Sequence, residues 1–208
     1  MSDRLSAAAI VLGGGLSTRM GVDKTTLLLG GRTLTDIVLD TVAGMFSQTI
    51  IVTNEPGDPT SRSEIDIARD EVPHLGPLGG IAAGLRASDW SHNFVVACDM
   101  PFLNAEFIRY LVAAGPTADV VLPVTDRRQT LHAVYATSCY EAITEQMAAG
   151  DYRIRSLFDH LNVVEVSEET ARSYDKDLLC FFNVNSPEDY EKAKVLFERS
   201  RRRVENPS

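Results

Sequence analysis

The chain has 208 residues and a formal net charge of −9, with 29 acidic against 20 basic side chains. This length suits one α/β domain with a full core, or at most two small ones, and the acidic balance argues against a broad nucleic-acid-binding face, which is normally basic. No apolar run approaches the ~20 residues of a membrane span, and the N-terminus leads directly into the first predicted strand, so we expect a cytoplasmic protein without nucleic-acid or membrane partners.

Strand-like and helix-like patterns alternate along the chain, which is typical of βαβ units and a mainly parallel sheet. Apolar or β-branched runs predict strands at 7–12, 48–53, 65–68, 94–97, 120–123, 131–136 and 163–166. Apolar residues at helical spacing predict helices between them, which begin near Leu34, Ile81, Asn104, Glu141, Arg153 and Ser186. The pattern therefore indicates the α/β class.

A glycine-rich stretch follows the first predicted strand. Gly13–Gly15 come directly after the apolar run, and Arg19 and Lys24 follow within ten residues. Neither familiar phosphate-loop motif fits, because Thr18 and Asp23 stand where those motifs require glycine. Taken alone, the stretch is either a tight turn after a core strand or a loop whose backbone can approach an anionic ligand closely.

Polar residues follow three of the predicted strands: Asn54, Asp70 and Asp99. Ligands of open parallel sheets bind beyond the carboxyl ends of the strands, although Asn54 and Asp70 could be turn formers and Asp99 could cap the turn before Pro101. A carboxylate after a wholly apolar strand is costly to bury unless it meets a cation. Magnesium beside a triphosphate commonly takes one or two carboxylates, so the pattern favours phosphoryl or nucleotidyl transfer, which depends on positioning and charge neutralisation.

Four stretches resemble, in order, the motifs of the nucleotidyltransferases that modify molybdopterin. Residues 12–24 look like the family's L-A-G-G-x-S-x-R-M-G-x-D-K opening, although Gly13 replaces the usual alanine. Residues 76–85 are similar to its G-P-L-x-G-I-x-x-G-L turn, and 97–102 match A-C-D-M-P-F. Residues 182–189 resemble the last eight positions of its late F-x-N-x-N-T-P-E-D motif, with Ser186 in place of the threonine. The form of the second motif resembles the guanylyltransferase branch of the family, since the cytidylyltransferases usually carry a different turn there.

The resemblance implies a Rossmann-like three-layer α/β/α nucleotidyltransferase fold, in which residues 1–208 form one domain. Its N-terminal half would mainly bind nucleotide and its C-terminal half mainly molybdopterin. The implied reaction joins GTP and molybdopterin into the guanine dinucleotide cofactor and releases diphosphate, with Mg²⁺ as the required cofactor. The acceptor's own phosphate attacks the α-phosphorus, so no protein base is needed. Cofactor-insertion proteins and a recipient molybdoenzyme are further partners that the resemblance suggests.

The resemblance also implies roles by position. Arg19, Lys24 and Asp99 are the expected catalytic residues: the cations hold the phosphates and the departing diphosphate, and Asp99 holds Mg²⁺. The expected GTP-binding residues are Leu12, Gly13, Gly14, Gly15, Lys24, Asn54, Asp70, Gly76, Pro77, Leu78 and Asp99. Asn183 and Asn185 are expected on the pterin side or near the metal. His132 is either a pterin contact or an ordinary strand residue, and a single histidine favours the latter.

Two other functions stay open at this stage. A cytidylyl, sugar-phosphate or phospholactate transferase of the same fold would use the same loop, Lys24 and Asp99. A protein without activity, which holds a nucleotide or cofactor for a partner enzyme, is the third reading. The charged positions that the chemistry needs are intact, and this argues against the carrier.

Overall fold

The computed structural model describes residues 4–13, 27–54, 60, 62–70 and 76–205, and nine strands and seven helices lie within these ranges. The strands are β1 (Leu5–Leu12), β2 (Leu28–Leu29), β3 (Arg32–Thr33), β4 (Phe46–Val52), β5 (Asp66–Ala68), β6 (His92–Ala97), β7 (Val120–Val124), β8 (His132–Ala136) and β9 (Val163–Ser167). The helices are α1 (Leu34–Ala43), α2 (Pro77–Ala87), α3 (Ala105–Ala113), α4 (Cys139–Ala148), α5 (Ile154–Leu157), α6 (Glu168–Tyr174) and α7 (Pro187–Glu205).

Seven of the described strands form one sheet in the order β5-β4-β1-β6-β8-β7-β9. β1 pairs in parallel with β4 and β6, β4 with β5, and β7 with β9, whereas β8 is antiparallel to both of its neighbours. The central strands are covered on both faces, and such strands read as continuous apolar runs. The predicted α/β class and mainly parallel sheet are confirmed.

Helices cover both faces of this sheet. Apolar residues of α1, α3 and α6 pack on one face, while those of α2, α4 and α5 pack on the other. The Rossmann-like three-layer α/β/α arrangement that the resemblance implied is therefore confirmed for the described part of the chain.

Small residues let α2 approach the sheet closely. A Cβ atom at Gly84 would lie 2.4 Å from Cγ2 of Ile10 on β1, so only glycine fits there without displacing the strand residue. The first turn of the same helix lies against Leu12, since a Cβ at Gly80 would be 3.3 Å from Cδ2 of that residue. Close packing thus fixes the start of α2 next to the carboxyl end of β1.

Helix starts that the sequence marks with a polar residue are confirmed. The Asn104 side chain accepts a hydrogen bond from the Phe107 amide at 2.9 Å, which caps α3. Ser186 stands before Pro187 at the start of α7, and its Oγ accepts from the Asp189 amide at 3.1 Å. A side-chain oxygen in this position satisfies an amide that the helix itself leaves unbonded.

The hairpin β2–β3 and helix α6 are found in the structure but were not predicted from the sequence. Gly30 and Gly31 form the hairpin turn with φ of 59° and 81°, the left-handed conformation that a two-residue hairpin favours. The helix predicted to begin near Arg153 is a short one, since α5 covers only Ile154–Leu157. A membrane-crossing helix is not found in the described part of the chain, where none combines sufficient length with sufficient apolar character.

Candidate functional site

Four parallel strands end side by side at one edge of the sheet. The register pairs Leu12 of β1 with Val52 of β4 on one side and with Ala97 of β6 on the other. Val52 is paired in turn with Ala68 of β5. Neighbouring strands lie about 4.8 Å apart, so the residues that follow these four strand ends form a row roughly 14 Å long.

Backbone hydrogen bonds continue this row past the strands. The Gly13 amide donates to the Val52 carbonyl at 2.8 Å, and the Cys98 amide donates to the Leu12 carbonyl at 3.1 Å. The Thr53 amide donates to the Ala68 carbonyl at 3.1 Å. The chain therefore leaves each strand in a fixed direction, and the positions of Gly13, Asn54, Asp70 and Asp99 follow from the sheet.

Asn54 and Asp70 are brought together on the β4–β5 side of the row. The Asn54 side-chain oxygen accepts a hydrogen bond from the Asp70 amide at 3.1 Å. The Asp70 carboxylate lies against the first turn of α2, where a Cβ at Gly79 would be only 2.5 Å from its Oδ1 and 2.7 Å from its Oδ2. Gly79 is thus a further residue of the site, and the repeated glycines of its motif are the signal in the sequence that points to it.

The turn Gly76-Pro77-Leu78 opens α2 at the same edge. Gly76 has φ of +92° and precedes Pro77, and as a glycine it offers no side chain of its own to cap the first amides of this helix. A Cβ at Gly76 would have no atom within 4 Å. Glycine is therefore required here by the backbone conformation, and the first turn of an eleven-residue helix offers its positive dipole end next to Asp70.

Asp99 stands at the β6 end of the row, two residues past the buried strand that the sequence predicted. Its carbonyl oxygen accepts a hydrogen bond from the Val184 amide at 3.0 Å. Val184 is fully buried, and it lies between Asn183 and Asn185 in the chain. This one hydrogen bond joins the A-C-D-M-P-F motif to the late asparagine motif, which lies 85 positions further on by the residue numbers.

The two asparagines have different surroundings. The Asn183 side chain donates through Nδ2 to the Phe181 carbonyl at 2.9 Å, which leaves its amide oxygen as the acceptor. The backbone amide of Asn185 donates to Asp189 Oδ2 at 3.2 Å, and its side chain is exposed. The structure thus brings both residues close to Asp99 through Val184, and their predicted role on the pterin side stays a prediction.

His132 is not at the surface of this site, and the suggested pterin contact is corrected. The residue pairs with Val96 in the ladder between β6 and β8, and its side chain is fully buried. Its ring lies 5.0 Å from Phe94, 5.8 Å from Phe107 and 5.2 Å from Phe181, measured between ring centroids. A ring enclosed in this way cannot touch a ligand, so the alternative of a strand residue holds.

The His132 ring differs from an ordinary buried histidine in one respect. Neither ring nitrogen has a hydrogen-bond partner among the described residues. Burial lowers the pKa of this imidazole from 6.5 to about 3, because the charged form would lose its hydration without gaining a counter-charge. The ring is therefore neutral at physiological pH.

Some predicted site residues lie outside the described residues. These are Gly14, Gly15, Arg19 and Lys24, and their roles in binding the phosphates stay predictions.

A cavity of about 270 Å³ lies between α2 and α4, next to the residues on the β5 side of the row. Asp70 and Gly79 line one part of it, and Met147 and Tyr152 belong to the α4 side. The rest of its wall comes from small and polar residues of the two helices: Ala82, Ala83, Arg86, Tyr140, Thr144 and Ala148. The carboxylate of Asp70 is thus accessible from this groove.

Comparison with solved structures defines the class to which this fold belongs. The 2-C-methyl-D-erythritol 4-phosphate cytidylyltransferase from Thermus thermophilus matches with a TM-score of 0.70 at 15% identity, over 92% of this chain and 99% of that chain. The structure of molybdopterin-guanine dinucleotide biosynthesis protein A from Archaeoglobus fulgidus matches with a TM-score of 0.81 at 30% identity, over 92% of this chain and 99% of that chain. The first likeness shows a shared fold alone, which is that of a nucleotidyltransferase.

Sequence comparison identifies the family within this class. The profile of the MobA-like NTP transferase domain matches residues 9–166. Two similar proteins are a "Probable molybdenum cofactor guanylyltransferase" of Natranaerobius thermophilus, 32% identical over 93% of this chain and 97% of that protein, and a "Molybdenum cofactor guanylyltransferase" of Desulfosudis oleivorans, 34% identical over 94% and 98%. The chain belongs to the MobA-like NTP transferase family and is a nucleotidyltransferase.

Proposed function

We propose that this protein transfers GMP from GTP to molybdopterin, which gives the guanine dinucleotide form of the molybdenum cofactor and diphosphate. The observation that carries the proposal is the position of Asp99. It stands at the end of the row of strand ends that also holds Asn54 and Asp70, and Val184 ties it to the segment of Asn183 and Asn185. In this proposal, Asp99 lies between the nucleotide, held on the side of Asn54 and Asp70, and the acceptor, held on the side of Asn183 and Asn185.

The residues of this edge fit a magnesium ion that is shared with the substrate. Among the described residues, no group of three or more His, Cys, Asp or Glu side chains gathers as a set of metal ligands. Mg²⁺ in nucleotide sites commonly takes only one or two carboxylates and completes its octahedron with phosphate oxygens and water. Asp99 would hold the ion, which would supply charge neutralisation at the phosphates.

The chain's own residues would position the two substrates for in-line attack. Asn54 and Asp70 would hold the nucleoside, and the first turn of α2, with its positive dipole end, would meet its polar groups. Asn183 and Asn185 would hold the acceptor, whose phosphate displaces diphosphate from the α-phosphorus of GTP. Arg19 and Lys24 would stabilise the departing diphosphate. Positioning and electrostatic stabilisation are sufficient for this reaction, so no residue has to act as a base.

A direct assay tests the proposal. The protein is incubated with molybdopterin, magnesium and labelled GTP, and we expect diphosphate and the labelled dinucleotide in equal amounts. Calorimetric titration with GTP, CTP and ATP in magnesium should show the tightest binding for GTP. Tighter binding of CTP would instead identify a cytidylyltransferase, and nucleotide binding without any product would favour a carrier. The cytoplasmic location and the cofactor-insertion partners stay predictions that these experiments do not address.

Replacing Gly79 with alanine is expected to weaken GTP binding by about tenfold, the cost of roughly one charge-assisted hydrogen bond. The new methyl group would lie 2.5 Å from Asp70 Oδ1, so the carboxylate must move. The displaced atoms are the end of a flexible side chain, and the fold should therefore survive. Calorimetry with GTP measures the change.

Gly44→Ala is the matched control for the Gly79 variant. Gly44 ends α1 with φ of −75°, and a Cβ there would meet only the Asp40 carbonyl at 3.8 Å. The control should bind GTP as the wild type does. Unchanged GTP affinity in Gly79→Ala would remove Asp70 from the nucleotide site.

A further inference from the structure

Helix α7 contacts two parts of the chain that belong to opposite sides of the site. It begins at Pro187, directly after the asparagine segment, and it packs against the hairpin β2–β3. That hairpin begins directly after Leu27, the first described residue beyond the glycine-rich stretch, and Lys24 precedes Leu28 by four positions. One helix therefore connects the acceptor side with the exit of the nucleotide loop.

On the acceptor side, the segment before α7 is held by hydrogen bonds from its backbone amides to Asp99 and Asp189. The Val184 amide donates to the Asp99 carbonyl at 3.0 Å. Asp189, in the first turn of α7, accepts from the amides of Asn185 at 3.2 Å and Ser186 at 3.0 Å. The asparagine segment is thus held between the end of β6 and the start of the helix.

The connection on the nucleotide side is a single side-chain hydrogen bond supported by packing. The Tyr190 hydroxyl donates to the Leu28 carbonyl at 2.8 Å, across 162 positions of the chain. The Lys194 ammonium lies 5.0 Å from the centre of the Tyr190 ring. Phe197, two turns further along α7, lies so close to Gly30 that a Cβ there would be 2.4 Å from its ring. The hairpin cannot shift without disturbing this helix.

A separate apolar cluster surrounds these contacts. Val184 and Ala193 are buried in it together with three residues of the hairpin and α1, namely Leu29, Leu34 and Ile37. Phe102, the last residue of the Asp99 motif, contacts Phe182 with ring centroids 5.9 Å apart, and both pack on the same cluster. The A-C-D-M-P-F motif, the asparagine motif and the hairpin β2–β3 therefore share one small core that is separate from the cores on the two faces of the sheet.

We propose that Tyr190 is a positioning residue for guanylyl transfer, which sets the exit of the nucleotide loop relative to Asp99 and the acceptor segment. The inference rests on the proposed function, in which two substrates bound by these segments must meet. Displacement of reacting groups by about 1 Å can lower a rate roughly 100-fold. Tyr190 touches neither substrate, so its loss should affect the rate of transfer more than the affinity for GTP.

The test replaces Tyr190 with phenylalanine, which removes only the hydroxyl. We expect kcat to fall about tenfold, with the calorimetric Kd for GTP in magnesium changed less than about threefold. Rates are divided by the concentration of GTP-binding sites that calorimetry finds, so that partial unfolding cannot imitate the effect. Tyr110→Phe is the matched control, because Tyr110 is a partly exposed tyrosine on α3 that packs on Phe107 and Tyr174, and its kcat should equal that of the wild type.

Amide hydrogen exchange tests the connection without any assay of transfer. In the nucleotide-free protein, Tyr190→Phe should speed exchange at least about threefold at both Leu29 and Val184, since local opening then releases both ends. An unchanged Val184 amide, or an unchanged kcat per binding site, would overturn the proposal. If the wild type itself forms no dinucleotide, the proposed function fails, while the exchange result still decides whether Tyr190 joins the two segments.

Discussion

Replacing Asp99 with asparagine is expected to lower the rate of guanylyl transfer by roughly 1000-fold, about 4 kcal/mol of transition-state stabilisation. Asparagine keeps the size of the side chain and removes its charge, so the predicted metal ligand is lost without a cavity. The backbone around it is held by groups that the change does not touch, namely the Cys98 amide on the Leu12 carbonyl and the Val184 amide on the Asp99 carbonyl. We therefore expect an inactive protein with its fold intact.

The dependence on magnesium distinguishes a metal ligand from a residue that merely supports the loop. If Asp99 holds the ion, the residual activity of Asp99→Asn should need a higher magnesium concentration than the wild type needs. Initial rates over a magnesium titration, with GTP and molybdopterin in excess, measure this shift. Chelation of the metal should remove the activity of the wild type as well.

Asp89→Asn provides the matched control. Asp89 lies in the connection between α2 and β6, at the amino end of the strand that carries Asp99 at its other end, and it is exposed. The same loss of charge there should leave both the rate and the magnesium dependence unchanged. A fully active Asp99→Asn variant, or one with wild-type magnesium dependence, would exclude Asp99 as the metal ligand.

The row of strand ends could be predicted because it depends on strong local signals. Buried parallel strands are continuous apolar runs, so their ends are visible in the sequence, and parallel strands bring their carboxyl ends to one edge. Asn54, Asp70 and Asp99 each follow such a run within two residues. Their alignment in the register of Val52, Leu12 and Ala97 is then a consequence of the sheet.

Other features could not be predicted because no local signal determines them. β8 runs antiparallel to its neighbours β6 and β7. A buried strand has the same apolar sequence pattern in either direction, so residues 131–136 do not indicate this orientation. The Tyr190–Leu28 hydrogen bond joins positions 162 residues apart and exists only in the folded chain. The hairpin β2–β3 was not predicted for a different reason. The Gly30-Gly31 pair is typical of a hairpin turn, but the strands beside it have two residues each and are too short to show an alternating apolar pattern.

The burial of His132 is another feature that the sequence alone does not determine. A histidine at the start of a strand near the carboxyl edge is compatible with a ligand contact and with a core position. The three phenylalanines that enclose it come from β6, α3 and the segment before Asn183, and only the tertiary structure brings them together. Because both ring nitrogens of His132 are buried, the folded protein resists protonation of this ring, and the stability of the fold depends on pH.

The free energy of unfolding is expected to fall by roughly 2 kcal/mol between about pH 6.5 and pH 4.5 through His132 alone. The folded protein holds the pKa of this ring near 3, whereas the unfolded chain has the ordinary value of 6.5. Below pH 6.5 the unfolded state binds a proton that the folded state does not. The contribution is complete above that pH and is lost as the pH falls towards 3, at about 1.4 kcal/mol per unit.

His132→Phe isolates this contribution, because phenylalanine keeps an aromatic ring among Phe94, Phe107 and Phe181 and cannot titrate. Urea unfolding at about pH 7 and about pH 4.5 gives the loss of stability for each variant, and the loss should be smaller in His132→Phe by roughly 2.5 kcal/mol. Any misfit of the larger ring acts equally at both pH values and cancels in the difference. The exposed His160 provides the control, since His160→Gln should keep the wild-type loss. Equal losses in His132→Phe and the wild type would mean that the ring is hydrated or protonated in the folded protein.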